Sequence, residues 1–256
     1  MNSSTVCKLA IVAALEREIS PLIKNWTRIE REYEDRTFTF FEREDTVAVC
    51  GGIGMQPARR AAEAVIALYQ PTQIHTAGFA GALNKSLHVG DIFSPAVVID
   101  ARDGSRHQSK CGDGTLLTFM AVADVTQKTK LALAYAAAAV DMEAAAVACA
   151  AQSHGIPFGA TKVISDELDF EIPGMARFID PEGHFRTANF VLFASLRPWL
   201  WKSVIMLARN SSRASQALCA HLHQLCGDTV KATAIPKTAS PAAFTTENPL
   251  STKGSK

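Results

Sequence analysis

The sequence predicts an α/β fold: a three-layer α/β/α sandwich around a central, mixed and largely parallel sheet. Three observations predict it. Short apolar runs suited to buried strands alternate with helical stretches along most of the chain, as in parallel sheets covered on both faces. Glycines and carboxylates gather where those runs end, which is where open sheets collect ligands. The chain's 256 residues are 48% hydrophobic, enough for one large core, since such domains often run to roughly 200–250 residues.

Lys8 to Ala13 reads as a buried strand. Leu15 to Asn25 reads as a helix, and Thr37–Glu42 with Thr46–Cys50 as a hairpin. Gly51-Gly52-Ile53-Gly54 breaks the pattern. A helix follows, with Pro57 in its first turn and Pro71 beyond its end. Gln73 to Ala77 is the next strand, running into Gly78-Phe79-Ala80-Gly81-Ala82, where glycines let the backbone turn sharply or a ligand approach closely. Ile92 to Ile99 is β-rich, Ala101 to Gly114 a loop, and Thr115 to Ala123 a strand. Helices are expected over Lys128–Ala139 and Asp141–His154, the second capped by Gly155. Phe158 to Ile164 is a strand ending in Ser165-Asp166. Phe185 to Cys226 reads as one or two amphipathic helices broken at Pro198. One domain is therefore expected over residues 1–226. The Thr-, Ser- and Pro-rich residues 227–256 are expected to form a disordered tail.

Composition removes several functions. Charged residues are 20% of the chain, the net charge is +1 and the pI about 7.7, with no basic footprint for nucleic acid. Six cysteines without a C-x-x-C pair read as buried free thiols in a reduced, cytoplasmic setting. Met1 to Lys8 lacks a signal-peptide pattern. Pro57 stands where a dinucleotide fingerprint starting at Gly52 needs its third glycine, and no phosphate-loop motif occurs. His221 and His223 point to different helix faces, so no metal site is read.

Three carboxylates remain as candidates. Asp166 ends an apolar strand and should face the crevice; its bland alternative is a helix cap. Glu143 lies in an Ala-rich, buried stretch, where a carboxylate needs partners or a ligand. Glu18 sits early in a helix, where the macrodipole favours negative charge.

Taken together, Ala-Leu-Glu-Arg-Glu from Ala14, Gly-Phe-Ala-Gly-Ala-Leu from Gly78, Val140-Asp141-Met142-Glu143-Ala144, Gly155-Ile156-Pro157-Phe158 and Lys162-Val163-Ile164-Ser165-Asp166 resemble the nucleoside phosphorylase/nucleosidase superfamily. The closest branch is the 5'-methylthioadenosine/S-adenosylhomocysteine nucleosidases. A hopanoid-associated, phosphorylase-like branch is also in view. The resemblance implies hydrolysis of a 5'-substituted adenosine, a homodimer, and no metal or organic cofactor. It implies that Glu18 activates water and Asp166 protonates N7 of the purine. Glu143 would bind the ribose hydroxyls and Met142 pack on the sugar. Ile53, Phe79, Ala80 and Gly81 would line the pocket, with Lys162 and Ser165 in the substrate-binding set.

Three departures stand out. Phe79 replaces a small hydroxyl residue and cannot donate to phosphate. Lys162 replaces arginine and loses its bidentate fork. Gly90 to Asp141 is shorter than in that branch, where relatives keep an aromatic base-stacking residue and part of the dimer surface. Phosphorolysis is the first alternative, with Arg17, Arg59 or Arg60 as phosphate ligands. Non-catalytic nucleoside binding is the second. Phe190 to Met206 reads first as a core-covering helix pair and second as an apolar lip for a lipid-linked nucleoside.

Overall fold

The first strand, Leu9–Ala13, is buried along its whole length and separates two cores. Ala10 and Val12 join one; Leu9, Ile11 and Ala13 join the other, as two-residue alternation requires. In this computed structural model residues 7–110, 112–171 and 174–232 are described, with side chains as far as 227 in the last helix. In chain order the elements are β1 (Leu9–Ala13), α1 (Glu16–Ile23), β2 (Thr27–Tyr33), β3 (Arg36–Arg43), β4 (Thr46–Cys50), α2 (Met55–Tyr69), β5 (Gln73–Ala82), β6 (Ile92–Phe93), β7 (Val97–Asp100), β8 (Arg106–Gln108), β9 (Thr115–Thr118), α3 (Val125–Tyr135), β10 (Ala139–Asp141), α4 (Ala144–Ser153), β11 (Phe158–Asp166), α5 (Thr187–Ser195) and α6 (Trp201–Ala232).

The expected sandwich is present. The sheet runs β2-β3-β4-β1-β5-β10-β9-β7-β8, and β11 pairs with β5 and β6. Pairing is parallel around β1, where β4 and β5 flank it, and again between β11 and β5. Antiparallel pairs stand mainly toward the edges, in β2-β3-β4 and β7-β8. Alanines and valines of α2 and α4 cover one face. Ile19, Leu22 and Ile23 of α1 meet Ala214, Leu218 and Leu222 of α6 on the other.

Four differences from the sequence reading have physical causes. The strand expected over Gln73–Ala77 does not end there: β5 continues to Ala82, because β11 and β10 both pair with that stretch. β2 is an added edge strand, mostly exposed and charged, so it carries no apolar run. It is joined to β3 by Glu34 and Asp35, both with positive φ, the backbone of a tight hairpin turn. The helix expected over Lys128–Ala139 stops at Tyr135, where Ala136 turns left-handed. The freed residues Ala139–Asp141 form β10, and Asp141 ends a strand instead of opening a helix. Finally, residues 106–108 of the expected loop form β8.

The break at Pro198 separates α5 from α6, which run at 115° to one another. α6 continues to Ala232; the remainder of the expected disordered tail lies outside the described residues. Cys7, Cys50, Cys149, Cys219 and Cys226 are free thiols, Cys7 and Cys219 buried; Cys111 lies outside the described residues.

Candidate active site

A cleft of about 850 Å³, counted to its open mouth, lies over the carboxyl ends of the central strands. Leu15 and Glu18 enter it after β1 and Ile53 after β4. Phe79, Ala80 and Gly81 belong to β5, Met142 and Glu143 follow β10, and Ser165 and Asp166 end β11. Nine of the ten expected site residues thus meet in one cleft. The tenth, Lys162, needs correcting: it does not line the cleft but lies beneath it, 1% exposed.

Lys162 has a different partner. Its Nζ is 2.9 Å from Asp141 Oδ2. Asp141 also accepts the Thr118 hydroxyl at 2.7 Å and the Ala144 N–H at 2.9 Å. Asp141 therefore caps α4 from the end of β10, and Lys162 neutralises it. Burial works against the ammonium, but Asp141, Glu143 and Glu18 outweigh burial and hold the Lys162 pKa above the ordinary lysine value. This buried cation is the electrostatic anchor under two cleft carboxylates.

Glu143 accepts the Gly54 N–H at 2.7 Å and the Met142 N–H at 3.2 Å. Burial, then the Asp141 charge, push its pKa up to about 8, against the pull of Lys162. Glu18 accepts the Leu15 N–H at 3.4 Å, the back-reaching half of a capping box. Its backbone is held from α6, where the Ser215 hydroxyl donates to the Glu18 carbonyl at 3.0 Å. Burial raises the Glu18 pKa, and Lys162 opposes part of the rise. A glutamate raised in this way holds a proton more readily, the direction general-base work requires.

Asp166 is gripped on both oxygens. The Ser165 hydroxyl donates to Oδ1 at 2.7 Å, and the Lys128 ammonium to Oδ2 at 2.5 Å. Lys128 was not among the residues singled out from sequence. It is 2% exposed and also donates to the carbonyls of Glu167 and Phe170 at 2.7 and 3.1 Å. All three of its protons thus have acceptors. A reciprocal capping box, Asp124 with Gln127, fixes the first turn of α3 that carries it. A signal did exist: Lys128 stands at helical spacing with Leu131, Ala132 and Tyr135, which pack on the core. A lysine on an apolar stripe needs a buried partner.

Two glycines of β5 make room for these carboxylates. A Cβ at Gly78 would stand 2.8 Å from Glu18 Oε2; one at Gly81 would stand 2.8 Å from Asp166 Oδ2. Their backbone needs no positive φ. Glycine here serves close approach, not turning.

The remaining walls are mostly apolar. Met142, Met175, Ile179 and Leu207 line the cleft, and Phe79 is the one aromatic side chain among the described lining residues. Ala121, Val122 and Ala123 line it within the shortened stretch. Of the three arginines weighed as phosphate ligands, Arg17 lines the cleft, its guanidinium 5.3 Å from the centre of the Phe185 ring. Arg59 sits on α2 beside Glu63, away from the cleft, and Arg60 does not line it.

Comparison with known proteins identifies the family and the fold. The family model described as "Phosphorylase superfamily" matches residues 8–125 and 113–195. The chain is similar to the 5'-methylthioadenosine/S-adenosylhomocysteine nucleosidase of Halalkalibacterium halodurans, 37% identical over 89 residues, 33% of this chain and 38% of that protein. It is similar to the enzyme of the same name from Buchnera aphidicola subsp. Schizaphis graminum, 33% identical over 91 residues, 34% of this chain and 39% of that one. The chain therefore spans about two fifths of the length of these curated relatives. Among solved structures, futalosine hydrolase of Helicobacter pylori superposes with a TM-score of 0.67 at 17% identity, covering 88% of this chain and 100% of that one. At that identity the likeness is one of fold.

Proposed function

From the premise that the chain belongs to the phosphorylase superfamily, we propose that it hydrolyses the N-glycosidic bond of a 5'-substituted adenosine and releases adenine. One observation carries this reading: two carboxylates, Glu18 and Asp166, reach the same cleft, each seated against its own glycine of β5. Binding alone does not require that pair. Glycosidic cleavage does, because an oxocarbenium-like sugar needs acid help at the leaving group and a carboxylate to activate water.

In this reading the C1'–N9 bond breaks and its electron pair passes to the purine. N7 takes the proton that it shares with Asp166, which Ser165 and Lys128 hold in position. Water adds to C1' and gives its proton to Glu18. Glu143, aimed by the Gly54 N–H, binds the ribose hydroxyls, and Met142 packs on the sugar. Lys162 acts from below, through the charges of Glu143 and Glu18.

A second reading, phosphorolysis, has one observation in its favour: Arg17 lines the cleft. Chromatographic measurement of base release separates the two. The substrates are methylthioadenosine, adenosylhomocysteine, 5'-deoxyadenosine, inosine, futalosine and a lipid-linked adenosine, each with and without phosphate. Phosphate-independent release, lost in Asp166→Asn, is the expected result. Release only with phosphate would move the assignment to Arg17. No release from any of them would leave nucleoside binding without chemistry.

A further inference from the structure

The corner where α5 meets α6 is unlike the rest of the surface. Seven of the ten strongly exposed large apolar side chains among the described residues lie between Val191 and Met206. Trp199 is 73% exposed and Leu196 70%. The Trp201 indole donates to the Ala194 carbonyl at 3.0 Å while its ring stays half open. Beneath the patch Phe178 and Phe190 are buried and Phe193, Val204 and Leu207 pack on them. The corner therefore has its own small core, and the outward apolar side chains are surplus to it. Exposed apolar side chains concentrated in one short segment mark a candidate interaction site.

Charge identifies the partner. From Gly183 to Gly227 the sequence contains no aspartate or glutamate, but it contains Arg197, Lys202, Arg209 and Arg213, besides Arg186, which Asp180 meets at 3.9 Å. Lys202 and Arg209 lie on the exposed side of α6 with Trp201 and Ile205. We propose that this corner docks on the surface of an anionic phospholipid bilayer. Tryptophan rings settle at the headgroup level, and neighbouring cations meet lipid phosphates. The helices lie in the interface and do not cross it. No single described helix is long and apolar enough to span, and the pair is bent at 115°. A second copy fits the corner less well. A two-fold contact sets a patch against itself, and here cations would face cations with no acidic residue of the segment to pair them.

Flotation of the full chain with phosphatidylcholine vesicles, with and without phosphatidylglycerol, tests the proposal. Binding is expected with phosphatidylglycerol, at least about tenfold stronger than without it, and weakened by high salt. Brominated lipids should quench Trp199 and Trp201 but spare the buried Trp26. The double variant Leu196→Ser, Trp199→Ser should lose binding while melting at the parent temperature. Lys202→Glu with Arg209→Glu should weaken binding by about fivefold or more per charge on anionic vesicles alone. Absence of binding, or equal binding by parent and both variants, overturns the proposal. So does a concentration-dependent dimer, seen by sedimentation velocity, that Leu196→Ser with Trp199→Ser dissolves while vesicles stay unbound.

Discussion

Gly81→Ala is the sharpest perturbation of the proposed chemistry, because it adds one methyl group and no charge. That methyl would lie 2.8 Å from Asp166 Oδ2 and 3.4 Å from Lys128 Cε. Comfortable non-bonded separations begin near 3.5 Å, so the carboxylate must retreat by roughly half an ångström or more. A misplacement of about 1 Å can cost about a hundredfold in rate. We expect kcat to fall about ten- to a hundredfold, with KM little changed. The fold should survive, since position 81 needs no special backbone angle and alanine narrows the unfolded ensemble. Gly159→Ala is the matched control. Its methyl would stand 2.5 Å from His75 Nδ1, in the buried core away from the cleft. It should lower the melting temperature by several degrees and leave kcat per folded molecule intact. Stopped chromatographic assays with parallel melting curves read both. A Gly81→Ala enzyme with parental kcat and parental melting temperature would refute the role given to Asp166.

Further variants probe the neighbouring groups. Lys128→Met should lower kcat about a hundredfold on adenine nucleosides. A riboside with a p-nitrophenolate leaving group, which departs without protonation, should be largely spared, and equal losses on both would mark Lys128 as merely structural. Lys162→Met leaves Asp141 charged and unpaired among buried groups, which should cost roughly 3–5 kcal/mol and show as a large drop in urea midpoint near neutral pH. Glu143 carries a pKa pushed up to about 8 from 4.5, so the folded chain holds an extra proton between those values. Its contribution is complete below the lower value and is lost as pH rises through the upper one. Glu143→Gln should therefore melt level with the parent near about pH 5 and above it near about pH 9. A constant offset across that range would contradict the shift.

The elements that sequence predicts well are those whose pattern a single core enforces. β1, β4 and β11 are buried apolar runs, and α2 carries its own stop in the left-handed Gln70 before Pro71. Asp166 and Glu18 were legible because they fall at a strand end and early in a helix, and Glu143 because it interrupts an Ala-rich, buried stretch. β2 escaped because an exposed edge strand has no buried face to display. β10 escaped because three residues show no period, and its place depends on pairing with β9 and β5. Lys162 was legible as a site residue but not as a buried one, since its partner Asp141 arrives from another strand. Lys128 reaches Asp166 across 38 residues of sequence, a distance at which spacing carries no information.

Both carboxylates take their bearings from one strand. Their glycine seats are three residues apart on β5, about 10 Å along the backbone, and that interval is fixed by covalent geometry. The walls that meet a substrate's outer parts come from elsewhere: Ala121 to Ala123, Met175, Ile179 and Leu207. On the proposed reading, reaction and admission are thus under separate ownership. Insertions or exchanges in those outer segments would retune which nucleoside enters without moving the two glycine seats. A library confined to those positions is where altered substrate choice should be sought.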